Sequence, residues 1–227
     1  MNSVAVNNTA EVLAPSVGTV PTVVAKSVMT NPNSFWVLYG LHTEPTFIED
    51  AGGGQQPQRD GALKYVQSWR VCLDIGSNIG QWTRPLAKKF QSVVCFEPNP
   101  NFRECFKRNI PEHNVVLWPY GLSDREHKAT QDFNSTVLQK GDGDIDCRTL
   151  DSFGLTNVDF VKIDVDGFEL PLLEGARNTL TQNNAVINIE MKRSKRPDTV
   201  NKCESILKDL GYRFAKRTKS DEVWLKS

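Results

Sequence analysis

The run Asp74-Ile75-Gly76-Ser77-Asn78-Ile79-Gly80 places an acid and two glycines directly after the apolar stretch Val71-Cys72-Leu73. An apolar strand that ends in an acid and turns through glycines into a helix lets the backbone approach a ligand closely. The helix start offers unpaired N–H groups to a carboxylate or phosphate. The DxGxxxG spacing is not the GxGxxG of nicotinamide-binding folds, and taken alone it also fits an ordinary strand-to-helix turn. A second acid sits in Cys95-Phe96-Glu97-Pro98-Asn99-Pro100, where Glu97 closes the next apolar run 23 residues after Asp74. A carboxylate there lies beside the first turn and can accept two hydrogen bonds from the vicinal hydroxyls of a ribose. In Val161-Lys162-Ile163-Asp164-Val165-Asp166 apolar and charged residues alternate. An extended strand would project Lys162, Asp164 and Asp166 to one side. Glu190 ends a further apolar run and is expected alongside Asp164.

The elements that must position these residues follow from the pattern around them. Apolar runs occur at Val71–Ile75, Val93–Phe96, Val115–Trp118, Val158–Val165 and Ala185–Ile189. Helical patterns separate them: Trp82, Leu86 and Phe90 recur at helical spacing, with Pro85 expected to kink that helix. Asn99 and Pro100 form a helix start ahead of Phe102, Cys105 and Phe106, and Leu173, Ala176 and Leu180 mark one more helix. Asp198 opens a last one, closed by Gly211. Alternation of this kind predicts an α/β fold, a mostly parallel sheet with helices on both faces. Residues 123–150 are polar and Gly/Asp-rich, which suggests a small β-hairpin insertion, and Tyr212–Lys216 with Glu222–Leu225 predict an antiparallel edge.

Composition divides the rest. Residues 1–34 carry only two charges, Glu11 and Lys26, and no aromatic ring, so they read as a flexible or extended arm. Residues 35–58 comprise an aromatic packing segment, which can supply an interface, and a Gly/Gln loop from Ala51 to Gln58; the main domain is expected over 59–227. With 27 Lys/Arg against 27 Asp/Glu, no global charge drives the chain of 227 residues toward nucleic acid or an acidic membrane. No 18-residue apolar run predicts a membrane span. The cysteines Cys72, Cys95, Cys105, Cys147 and Cys203 form no CxxC pair, so reduced thiols in a cytoplasmic protein are expected.

The motifs DIGSNIG, FEPNPNF, GLSD at Gly121–Asp124, TLDSF at Thr149–Phe153, VDFVKIDVDGFE and INIEMKR together resemble FkbM-type methyltransferases, within the class I S-adenosylmethionine-dependent enzymes, over roughly residues 70–215. Two positions depart from the family's usual reading, Ser77 for Ala and Asp166 for Glu. The resemblance implies a class I sheet of about seven strands and S-adenosylmethionine as cofactor. It implies that Asp74, Gly76, Ser77, Asn78 and Gly80 shape the pocket for the methionine half, that Glu97 holds the ribose, and that Gly121 and Leu122 flank the adenine. It also implies that Asp164 faces the transferable methyl as general base or orienter, with Glu190 beside it and Lys162 as a third catalytic candidate or a counter-charge.

The implied acceptor is a hydroxyl on a sugar, another small molecule or a glycan. From Glu190 to the end there are 11 Lys/Arg against 6 Asp/Glu, with Lys192, Arg193, Lys195 and Arg196 clustered after the fifth strand. This keeps two alternatives open: a phosphorylated sugar acceptor, and methylation of a nucleic-acid 2′-hydroxyl, the latter weakened because no stacking aromatics are interleaved. Asp164 and Glu190 can also hold a divalent metal on the acceptor oxygen, although two oxygen ligands make a thin site. A non-catalytic nucleotide-binding module is the reading from a different class. Oligomeric state is not readable from the sequence.

Overall fold

The computed structural model describes residues 24–27, 35–38, 55–131 and 138–227. Two short strands, β1 (Val24–Ser27) and β2 (Phe35–Leu38), pair antiparallel. The expected arm therefore contributes one strand; its remaining residues lie outside the described ones, as does most of the segment up to residue 54. Helix α1 (Gln56–Leu63) begins inside the expected Gly/Gln loop, with Pro57 in its first turn, where a missing N–H costs nothing. It buries Gln58, Arg59, Ala62 and Leu63. The boundary expected at 58–59 falls inside this helix.

The strands and helices then alternate: β3 (Val71–Ile75), α2 (Thr83–Ala87), β4 (Ser92–Phe96), α3 (Pro100–Asn109) and β5 (Val115–Trp118). Pro85 sits in the first turn of the short α2 and so starts a helix instead of kinking one. Asn99 caps α3, its Oδ1 accepting from the N–H groups of Asn101 (2.9 Å) and Phe102 (3.3 Å). After β5 come β6 (Gly121–Leu122), β7 (His127–Thr130), β8 (Gln139–Lys140) and β9 (Ile145–Arg148). These make a separate four-stranded sheet rather than a simple hairpin, with β7 antiparallel to β8 and β9, and β9 parallel to β6. A 3-10 turn (Leu150–Phe153), β10 (Val158–Ile163), α4 (Glu169–Glu174), α5 (Arg177–Gln182), β11 (Val186–Glu190), α6 (Pro197–Asp209), β12 (Tyr212–Thr218) and β13 (Asp221–Lys226) complete the described chain.

Where one helix is expected around Leu173 and Leu180, two form. At the break, a Cβ on Gly175 would lie 2.0 Å from the Ser123 carbonyl oxygen. Asp151 then caps α5, accepting from Thr179 N (2.7 Å) and Asn178 N (3.0 Å). The TLDSF stretch is thus architecture: Thr149 caps the 3-10 turn and Asp151 caps the helix across from it.

The main sheet has seven strands in the order β5-β4-β3-β10-β11-β13-β12, parallel from β5 through β11 and antiparallel at β13 and β12. Strand alternation divides its side chains between two apolar layers. Leu73, Val161, Ile163 and Ile187 pack on Leu172, Leu173 and Leu207 on one face, while Cys72, Val93 and Phe160 pack on Leu86, Phe90 and Phe106 on the other. All five cysteines are buried, and none forms a disulfide among the described residues. No helix among the described residues is long and apolar enough to cross a membrane.

Strand β3 pairs with β4 on one side and β10 on the other, so the strand order reverses there, and ligands bind at such a switch point. The tips are level, Ile75 standing in register with both Phe96 and Ile163. The Gly76 turn fits between them only without a side chain: φ is +76°, and a Cβ would lie 1.9 Å from the Asp164 carbonyl oxygen. Gly154 also has positive φ, +59°, yet nothing lies within 4 Å of its Cβ position. Gly76→Ala is therefore expected to lower stability by more than about 3 kcal/mol, or to prevent folding, whereas Gly154→Ala costs about 1 kcal/mol. Urea unfolding of the two variants tests this; equal effects would contradict it.

Candidate active site

Gly76 N and Ser77 N both donate to Phe96 O, at 3.0 and 3.2 Å, which ties the turn after β3 to the tip of β4. Asp164 N donates to Ile75 O at 3.1 Å and ties in β10. Asn78 takes a left-handed conformation, φ +50°, which asparagine tolerates better than most residues, and its N–H donates to Glu97 Oε2 at 2.9 Å. Asn99 N donates to the other oxygen of Glu97 at 2.8 Å. Glu97 is 4% exposed. Burial pushes its carboxyl up to about 7 even though these two N–H groups, Arg103 and Lys162 favour the charged form.

Asp74, Lys162 and Asn188 stand in one register row across β3, β10 and β11. The Lys162 ammonium donates to Gly76 O (2.9 Å) and lies 3.4 Å from Asp74 and 3.8 Å from Asp164. Burial works to lower its pKa, but the surrounding Asp74, Asp164 and Asp221 outweigh that and raise it, so Lys162 stays charged. Asp74 is fully buried and accepts from Thr83 Oγ1 at 2.6 Å.

A cavity opens beside these strand ends, at the end of the sheet where ligands bind in folds of this kind. Of the residues singled out from sequence, Gly76, Ser77, Asn78, Glu97, Gly121, Leu122, Lys162 and Asp164 line it. Asp74, Gly80 and Glu190 do not. Asp74 lies beneath the cavity as the partner of Lys162, and Gly80 has φ +94°, a conformation that favours glycine, beside the Ile110 side chain. Asp166 reaches the cavity by a left-handed turn, φ +48°, and not by continued extension, since β10 ends at Ile163.

Other lining residues carried no sequence signal. Gln55, Trp82, Tyr120 and Gln131 arrive from outside the motifs. Tyr120 stacks beside Trp118, and the Arg148 guanidinium lies 4.2 Å from its ring centre. The Arg148 contact joins residues far apart in the chain, which local spacing cannot report; the aromatic pair Trp118 and Tyr120 at a strand tip is the local hint.

Glu190 sits at the rim with Asp164 and Asp166, one carboxylate oxygen of each lying within 4.8 Å of the others. Burial and the charge of Asp164 push the Glu190 carboxyl up to about 7, against the pull of Lys192. The basic cluster after β11 is turned onto neighbouring acids: Lys192 onto Asp166 and Glu190, Arg193 onto Glu204 and Glu222, Arg196 toward Glu169. Among these, Lys195 alone has no acid partner among the described residues.

The cavity can be tested against a sulfonium nucleoside by the polar atoms it leaves open. The side-chain oxygens of Ser77, Asn78 and Gln131 are buried, line the cavity and have no hydrogen-bond partner among the described residues. Each of Glu97's oxygens accepts one bond from the backbone, and a carboxylate oxygen has room for another. Buried polar atoms without partners are rare in folded proteins. Their gathering around one cavity fits a polar ligand with an amino-acid end and a diol.

Comparison with known proteins bears on the same residues. A curated relative, the hexuronic acid methyltransferase AglP of Haloferax volcanii, is 29% identical over 153 residues, covering 62% of this chain and 63% of the relative. The chain thus spans less than two thirds of that protein's length. A crystal structure of the FkbM methyltransferase from Methylobacillus flagellatus KT superimposes with a TM-score of 0.52 at 16% identity, covering 79% of this chain and 53% of that one, a likeness of fold. A SAM-dependent methyltransferase from Aquifex aeolicus gives 0.47 at 13% identity, covering 80% and 97%. The methyltransferase FkbM domain matches residues 74–214, more than half of the chain. The α/β sheet with its glycine turn, the buried glutamate at the next strand tip and this match lead to one conclusion: the chain belongs to the FkbM methyltransferase family.

Proposed function

We propose that the chain is an S-adenosylmethionine-dependent methyltransferase acting on a hydroxyl of a sugar or other small-molecule or glycan acceptor. One observation carries the reading: Glu97 is a buried carboxylate held by two backbone N–H groups and open to the cavity beside the Gly76 turn. A carboxylate fixed in this way can accept from both hydroxyls of a ribose. Ser77 and Asn78 offer unpartnered oxygens to an ammonium group, and Tyr120, Gly121 and Leu122 supply a wall for a flat base.

The cofactor supplies a methyl group on a positively charged sulfur, already activated for displacement. The chain's own residues have two remaining tasks, alignment and proton handling. Alignment of two reactants is worth up to about 7–11 kcal/mol. Asp164, on the cavity wall at the tip of β10, orients the acceptor hydroxyl or takes its proton. Glu190 beside it, with a carboxyl near 7, is suited to exchange a proton at neutral pH. A base of this kind contributes roughly 10²–10⁴-fold in rate. The sugar-type acceptor takes its support from the Haloferax relative, whose name specifies a hexuronic acid. The pairing of Lys192, Arg193 and Arg196 with acids weakens the basic cluster on which the nucleic-acid alternative rests.

Calorimetry with S-adenosylmethionine tests the reading. Wild-type protein is expected to bind, Glu97→Ala to bind at least about ten-fold more weakly, and Asp164→Asn to bind normally while losing about 10²-fold or more in transfer to a sugar-hydroxyl panel. Folded wild-type protein that ignores the cofactor at millimolar concentration would overturn it.

The raised carboxyl of Glu97 gives a second test. The usual glutamate value is 4.5 and the folded value about 7, so the folded state holds the proton more tightly and its stability falls as pH rises through that interval. Glu190 acts in the same direction. The urea midpoint of unliganded protein should drop between about pH 5 and 7.5, less steeply in Glu97→Gln; a slope unchanged by that variant would count against the assignment.

A further inference from the structure

Three carboxylates crowd the cavity rim. One oxygen each from Asp164, Asp166 and Glu190 lies within 4.8 Å of the others, close enough that ionised acids repel unless a cation stands among them. The structure supplies a cation from the chain itself. Lys192 Nζ lies 2.8 Å from Glu190 Oε2 and is hydrogen-bonded to Asp166 Oδ1. An ammonium is compact and has three donors, so it can serve two carboxylates at once.

The support behind Lys192 is rigid. It lies two residues past the end of β11, in a turn held by the Met191 N–H donating to Ser220 O at 2.7 Å. Its neighbour Arg193 donates to Glu222, which is fully buried and also accepts from Arg217 and Trp224. Ser220 Oγ donates to Glu190 Oε1 at 3.2 Å, fixing the carboxylate from its other side. Asp166 arrives through its left-handed turn, which Gly167 continues at φ +114°, a conformation that favours glycine.

We propose that Lys192 is a built-in cation of the active site: its ammonium stands among the rim carboxylates where a divalent ion would otherwise bind, and it fixes Asp166 and Glu190 while leaving Asp164 on the cavity wall. Lys192 is thus a positioning residue, acting on the acceptor through the acids it holds. A divalent ion would have to displace a group tethered to the same turn, whose effective concentration is in the millimolar range or above. The consequence for turnover rests on the methyl-transfer reading; the place of the ammonium does not.

The test is Mn²⁺ binding followed by electron paramagnetic resonance, on wild-type protein, Lys192→Ala and Lys192→Arg, with thermal melts as folding control. Wild type and Lys192→Arg are expected to leave Mn²⁺ free, and Lys192→Ala to bind it at least about ten-fold more tightly. Wild-type transfer should be insensitive to chelator, and Lys192→Ala should lose turnover, recovering part of it with Mg²⁺ or Mn²⁺. Wild type binding Mn²⁺ as tightly as Lys192→Ala, or wild-type transfer abolished by chelator, would overturn the proposal, as would Lys192→Ala with neither gained Mn²⁺ nor changed turnover. Lys192→Gln replaces the alanine variant if the latter does not fold. Should wild type transfer no methyl group at all, the resonance signal still decides where the ammonium stands, because it needs no turnover.

Discussion

The buried ammonium of Lys162 joins the tips of two strands that no local sequence pattern connects. It donates to Gly76 O, lies against Asp74 below and reaches toward Asp164 above. A charge this deeply buried destabilises by several kcal/mol if left alone, so the three partners and the lysine fix one another. Removing Asp74 would leave the ammonium short of a carboxylate; moving Gly76 would take away its carbonyl. The glycine turn, the floor of the cavity and the position of Asp164 all meet at this one charge-paired cluster. The acid that ends β3 therefore acts on the site from beneath, through Lys162.

Four acids at neighbouring strand ends take different roles because their surroundings differ. Asp74 is wholly enclosed and paired with a lysine and Thr83. Glu97 is almost as buried and is hydrogen-bonded by two backbone N–H groups; burial raises its carboxyl against their pull, and it borders the cavity. Asp164 shares Lys162 and borders the cavity. Glu190 stands at the rim, held by Lys192 and Ser220. Burial, partner and access assign each carboxylate its chemistry, although all four lie at or next to the end of a strand in the same sheet.

Much of this was legible in the chain. The parallel strands, the Asn99 cap and the acids at strand tips follow from period-two and helical spacing, which are local signals. The division of the helix at Gly175 was not: it falls where the backbone passes close to the Ser123 carbonyl, about fifty residues away. Gly80 lies beside Ile110, thirty residues on, a neighbour that the turn's own spacing does not report. Asp166 was expected to continue an alternating strand, but its left-handed backbone turns it toward Lys192. The basic cluster reads as a surface for anions until the fold brings Glu204 and Glu222 against it. In each case a contact between distant segments overrode a correct local reading.

The most direct measurement is a crystal structure of the protein grown with S-adenosylhomocysteine, the demethylated product. The account requires both ribose hydroxyls within about 3 Å of the Glu97 carboxylate, with the sulfur turned toward Asp164. A nucleoside seated elsewhere, or one whose ribose leaves Glu97 untouched, would contradict it.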